Sequence, residues 1–222
     1  MALELTSITP NIHLGIFENQ FNIASTCLRF QEYYESPEFK GKVFTLEEFK
    51  EWYIKNSPKG KATGKFTYYK DWNGFNLPSW VFDIFFKGEF NPLSRKEKNL
   101  LNCLEDKEKP FYFIGVHKKT EELYETLRHE VAHGLFYTKP EYKEETLDAL
   151  SKFDLTEAKE ELLSKGGYHP DVLLDECQAY ALCNGLQVQL PESLSIKMNR
   201  LYNKHAGVEV IKKIAEISSK FS

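Results

Sequence analysis

The sequence predicts an α+β fold, with a small mixed sheet in its N-terminal half and a helical C-terminal half. Three observations carry this. NIHLGIF (11–17) alternates Ile12, Leu14 and Ile16 with polar or small neighbours, the period of a strand. FYFIGV (111–116) is a short apolar and aromatic run introduced by Pro110, also of strand type. Beyond it the chain reads as helix after helix, with breaks at Pro140, Gly166-Gly167, Gly185 with Pro191, and Gly207. The 222 residues are 41% hydrophobic and 14% aromatic, enough for a sizeable core. No repeat or low-complexity segment divides them. A single domain over 1–222 is expected, with a mixed part over 1–110 and a helical part over 111–222.

The elements follow in order. After the strand at 11–17, Thr45-Leu-Glu-Glu48 forms a capping box before Phe49, Trp52 and Tyr53. It opens a helix over 45–56, stopped by the Asn-Ser-Pro of 56–58. SPKGKATGK (57–65) has no apolar anchor and reads as an exposed mobile loop. FTYY then reads as a short strand. DWNGFNLPSW has turn chemistry at Asn73-Gly74 and reads as an aromatic loop. That loop either packs its rings over the core or walls a substrate pocket. Ser94-Arg-Lys-Glu97 is a second capping box, starting a helix with Leu100, Leu101 and Leu104 on one side. Helices are expected near 120–137, 141–152, 155–165, 170–184, 192–204 and 208–221.

Charge narrows the function classes. There are 29 basic and 33 acidic residues, a formal charge of -4, with no basic tract. Neither nucleic acid nor an anionic membrane surface is implied as a partner. The N-terminus lacks the charged and apolar regions of a secretory signal. No window approaches the run of about 18–20 apolar residues that a spanning helix needs. Cys27, Cys103, Cys177 and Cys183 are scattered without a CxxC, and read as free thiols of a reducing compartment. A cytoplasmic protein is expected, with signal-independent export left open.

The chemistry lies in TLRHEVAHGLFY (126–137). Leu123, Leu127, Val131 and Leu135 recur every fourth residue, the buried stripe of a helix. His129 and His133 are also four apart, so both project from one face and can bind one metal ion. Glu130 lies about 100° further round the helix, where it reaches a water held on that metal better than the metal itself. HEVAH thus satisfies the HExxH pattern of zinc sites. Small neighbours, Ala132 and Gly134, allow another element to approach. Thr120 with Glu121 and Glu122 makes a helix start.

Zinc needs a third protein ligand. No histidine follows in GLFYTKPEYK, so the search moves to YHPDVLLDECQAYALCNG (168–185). There the stripe Val172, Glu176, Ala179, Cys183 is apolar or small except for Glu176. A carboxylate in a buried stripe is costly unless it is paired or binds a metal, which favours Glu176. Asp175, His169, Cys177 and His117 are its rivals. Asp175 has a second reading, as the acceptor that holds a histidine ring by its other nitrogen.

HEVAH on a helix preceded by a strand, with a glutamate on a later helix, resembles the gluzincin group of zinc metallopeptidases, the thermolysin-like branch of the zincins. The resemblance covers roughly 111–185. It implies that His129, His133 and Glu176 hold zinc and that Glu130 is the general base in hydrolysis of a peptide or protein substrate. It implies a further donor for the oxyanion, for which Tyr180 and His169 are candidates. It also places an edge strand near 111–116, where FYFIGV or its neighbour takes extended peptide by strand addition. The aromatic 66–86 region and the 57–65 loop would roof the cleft. Two other readings compete: a non-proteolytic zinc hydrolase, and a zincin-like scaffold that binds a protein partner without turnover. Peptide deformylase also carries HExxH, but its cysteine-ligand motif is not matched at Cys103.

Overall fold

The computed structural model describes residues 3–164, 169–183 and 188–221. It is α+β. The elements run β1 (Glu4–Thr9), β2 (Ile12–Phe17), α1 (Gln20–Glu35), α2 (Leu46–Asn56), α3 (Pro58–Thr63) and β3 (Gly74–Pro78). There follow α4 (Val81–Phe86), α5 (Arg95–Leu104), β4 (Tyr112–His117), α6 (Leu123–Thr138), α7 (Pro140–Leu150), α8 (Thr156–Ser164), α9 (Leu173–Tyr180) and α10 (Glu192–Ser219).

The strands form one sheet in the order β1-β2-β4-β3. β2 and β4 pair in parallel, with Ile12 opposite Tyr112 and Phe17 opposite His117. β1 and β3 flank them antiparallel. Every residue of β2 and of β4 is buried, because both faces are covered. Side chains alternate between those faces. Ile12, Leu14, Ile16, Tyr112, Ile114 and Val116 join a core with α6, α7, α9 and α10. Phe17, Phe75, Leu77 and Phe113 join a second, aromatic-rich core with α1, α2, α4 and α5. Arg29 of α1 ties that second layer together. Its guanidinium grips the Glu97 carboxylate of α5 through Nε at 2.6 Å and Nη2 at 2.8 Å, with both residues buried.

Several expectations are corrected. FYFIGV is not an edge strand: β4 lies inside the sheet, and the edges are β1 and β3. DWNGFNLPSW is not a loop throughout, since Gly74–Pro78 is the edge strand β3. A proline ending an edge strand leaves no ladder bond unmade, which reconciles Pro78 with pairing. Residues 57–65 hold a helical turn, α3: Ser57 caps it, Pro58 opens it and Gly64 closes it in the left-handed region at φ 65°. FTYY gives a 3-10 turn at Tyr68–Lys70. The long helix α1, capped by Asn19, went unread, as did β1.

Both capping boxes form, at Thr45 with Glu48 and at Ser94 with Glu97. α10 breaks at Gly207, where φ is 75° and ψ is 167°. The helix stops read at Gly166-Gly167 and Gly185 lie outside the described residues. Among those described, no helix is long and apolar enough to cross a membrane.

Candidate metal centre

α6 carries the motif across the inner face of the sheet. It begins at Leu123, after Glu122 in the left-handed region at φ 50°, and Thr120 instead accepts a hydrogen bond from the His117 backbone. The stripe Leu123, Leu127, Val131 and Leu135 is buried as its spacing requires. Gly134 lets the helix sit close to β2: a Cβ there would meet the Ile12 side chain at 2.9 Å. This close seat points His129 and His133 toward α9, which packs alongside.

The structure brings His129, His133 and Glu176 together. The two Nε2 atoms are 3.1 Å apart. Glu176 Oε2 lies 3.8 Å from His129 Nε2, and Glu176 Oε1 lies 3.7 Å from His133 Nε2. Ligand atoms about 2.1 Å from a tetrahedral zinc are spaced roughly 3.3 Å apart, so these separations suit one ion with little movement. Among the described residues, this is the one group of histidine, cysteine and acidic side chains with such spacing.

The donor set fits a cation on chemical grounds also. His133 Nδ1 donates to Asp175 Oδ1 at 2.9 Å, and the His129 ring is hydrogen-bonded to the Ala179 carbonyl. With its Nδ1 turned to Asp175, His133 leaves Nε2 for a metal, and His129 Nε2 faces the same point. Glu176 Oε2 is buried and has no hydrogen-bond partner among the described residues. In the metal-free chain a proton on His133 Nε2 bridges to His129 Nε2; a metal ion would take that proton's place and engage the Glu176 carboxylate as well.

The titration of the cluster follows from the same imbalance. Burial and the neighbouring His133 hold His129 well below the usual histidine range. Burial opposes charge on His133 as well, but Asp175, Glu176 and Glu130 outweigh it and raise that imidazole. Burial lifts Glu176 to about 8, against the pull of His133, and raises Glu130 above the usual carboxylate range. Three carboxylates thus surround two imidazoles.

Glu130 is not a member of the ligand group. Its Oε2 accepts a hydrogen bond from Asn76 Nδ2 of β3 at 2.8 Å, and Asn76 Oδ1 in turn accepts from the buried Tyr112 hydroxyl at 2.8 Å. Gly74, two residues before Asn76 on the same face, leaves the space beside Glu130 Oε1 open; a Cβ there would stand 3.4 Å away. The aromatic 66–86 region therefore does reach the site, through the edge strand that it contains.

The remaining candidates divide. Asp175 takes the place read for a histidine-holding acceptor. Tyr180 sets its ring edge-on to His129, with centroids 4.7 Å apart. His169 caps a 3-10 turn at Pro170–Val172 and lies 3.4 Å from Lys40 Nζ. His117 stands at the end of β4 beside Asn73, and Cys177 is buried in the helical core. Cys183 Sγ lies 3.9 Å from His129 Nδ1. Cys103 is on α5, on the opposite face of the sheet. Asn76 and Tyr112 gave no local signal, because each acts across a long sequence separation; Gln178 bonds Asp175 only three residues away, one turn along α9, a local spacing that could have signalled it.

No family model matches the chain, and no curated protein or solved structure matches it.

Proposed function

We propose that the chain is a zinc-dependent peptidase of the zincin type, with His129, His133 and Glu176 as ligands and Glu130 as general base. The observation that carries this reading is the convergence of both Nε2 atoms and the Glu176 carboxylate on one point, with Glu130 beside it on the edge-strand side. When bound, zinc supplies a Lewis acid that brings the acidity of water toward neutral pH. Glu130 takes the proton from the attacking water and returns it to the leaving amine. Asn76 and Tyr112 hold the Glu130 carboxylate at a fixed place for both transfers. Burial raises its proton affinity, against the pull of His133 and the Asn76 hydrogen bond, which suits an acceptor that must also donate.

β3 supports a peptide as the substrate. It is an edge strand, so its outer side has no ladder partner among the described residues, and it passes directly beside Glu130. An extended peptide added to it would run past the general base. The strand that follows from the resemblance is thus β3, the neighbour of FYFIGV.

The test uses Glu130→Gln. A Gln side chain keeps an oxygen for the Asn76 amide and removes the base. The expected result is wild-type zinc content with cleavage of a peptide library reduced by about 10²–10⁴-fold. Cleavage unchanged in this variant contradicts the assigned base. Zinc binding by a wild type that cleaves no peptide, but hydrolyses other amides or captures a protein partner, favours the non-proteolytic hydrolase or the binding scaffold.

A further inference from the structure

Asp175 does not act alone on His133. Its Oδ1 receives a second hydrogen bond, from Gln178 Nε2 at 2.9 Å. Gln178 Oε1 in turn accepts the Tyr142 hydroxyl at 2.7 Å. Gln178 and Tyr142 are both wholly buried, and Tyr142 belongs to α7, a helix that contributes nothing to the HExxH motif. The donors all run one way: Tyr142 to Gln178, Gln178 to Asp175, with His133 meeting the same carboxylate oxygen from the other side.

The geometry points to Gln178 and Tyr142 as positioning residues that set the metal affinity of the centre through Asp175. This inference rests on the metal reading of His129, His133 and Glu176. The Asp175 side chain retains 18% exposure, so unrestrained it can swing toward water. The Gln178 amide holds Oδ1 against the His133 ring. A primary amide has two orientations, and the Tyr142 hydroxyl at its carbonyl end selects the one with the NH2 toward the carboxylate. The fixed carboxylate then keeps the proton of His133 on Nδ1 and its lone pair on Nε2. Because Asp175 precedes Glu176 on α9, the same restraint steadies the helix turn that carries the third ligand.

The test measures zinc affinity by competition with a chromophoric chelator, on wild type, Asp175→Asn, Gln178→Met, Tyr142→Phe and the Asp175→Asn/Gln178→Met pair. Thermal unfolding of each metal-free protein is recorded beside it. Loss of an outer hydrogen-bond partner weakens metal binding by about 10–100-fold, and this is expected for Gln178→Met. Tyr142→Phe keeps the ring and is expected to weaken zinc about 3–10-fold, the worth of one indirect hydrogen bond. The decisive result is non-additivity: in the Asp175→Asn background, Gln178→Met weakens zinc less than twofold further, because its route is already cut. Zinc affinity unchanged in Gln178→Met and Tyr142→Phe, or full additivity with Asp175→Asn, overturns the inference and leaves the metal reading standing. A wild type that takes up no zinc overturns both. If Gln178→Met does not fold, Tyr142→Phe alone and in the Asp175→Asn background reads the same two outcomes.

Discussion

Replacing Asn76 by Leu separates the architecture around Glu130 from the proposed metal centre. Asn76 is the one described link between two buried groups, Glu130 and Tyr112, and each of its two hydrogen bonds is 2.8 Å long. Leu keeps the branching at Cγ but is bulkier, so some repacking adds to the loss. The bond to the Glu130 carboxylate is worth about 1.5–3 kcal/mol, and the Tyr112 hydroxyl left unpaired costs about 1–3 kcal/mol. The apolar side chain recovers about 1 kcal/mol. The expected net loss is about 1.5–5 kcal/mol of metal-free stability, read from urea unfolding followed by circular dichroism. Tyr112→Phe supplies the control. Alone it costs about 1 kcal/mol, but in the Asn76→Leu background it removes the orphaned hydroxyl and restores about 1–2 kcal/mol. A loss below about 0.5 kcal/mol in Asn76→Leu, or a Tyr112→Phe effect identical in both backgrounds, refutes the reasoning.

Two further predictions concern the aromatic layer that supports the edge strand. Glu97→Ala leaves the buried Arg29 guanidinium uncompensated and also breaks the Ser94 capping box, so a loss of about 3–5 kcal/mol is expected in urea unfolding. Replacing both Arg29 and Glu97 by Met restores much of it, and equal losses in the single and double variants contradict the assignment. Burial lifts the Glu32 carboxyl to about 7, against hydrogen bonds from Tyr68 and Ser36. The folded chain then binds a proton that the unfolded chain has released. Stability contributed by this group is therefore present below the ordinary carboxylate range, falls as pH rises toward 7, and is fully lost above it. Glu32→Gln is expected to unfold like wild type near pH 4 and to be the more stable by roughly 2 kcal/mol at pH 8, a figure discounted for partial exposure. A stability difference independent of pH contradicts this.

What could be read from the sequence was local. HEVAH places two imidazoles on one helix face by helical geometry alone, and α6 bears that out with its Nε2 atoms 3.1 Å apart. The Glu176 stripe and the alternative role for Asp175 are likewise single-helix arguments, and both side chains lie where that phase puts them. The parts that failed depend on tertiary partners. α1 is buried around most of its circumference, so it shows no clean polar face to betray a helix. β3 is a strand because β4 pairs with it, against its turn-rich sequence. The position of β4 inside the sheet is a matter of strand order, which no local pattern encodes. Asn76 meets Glu130 across 54 positions and Tyr142 meets Gln178 across 36, so neither bond could be anticipated from spacing. α3 was legible in principle: Ser57-Pro58 at its start and Gly64 at its end are ordinary cap residues, masked by the lysine and glycine content of the segment.

The most direct measurement is zinc content by elemental mass spectrometry after equilibration with the metal and removal of excess, on wild type, His133→Ala and Glu176→Ala. The account predicts about one zinc per wild-type chain and its loss from both variants, with the metal-free proteins still folded. Zinc retained by Glu176→Ala contradicts the third ligand. A folded wild type that takes up no metal contradicts the centre itself, and the peptidase reading with it.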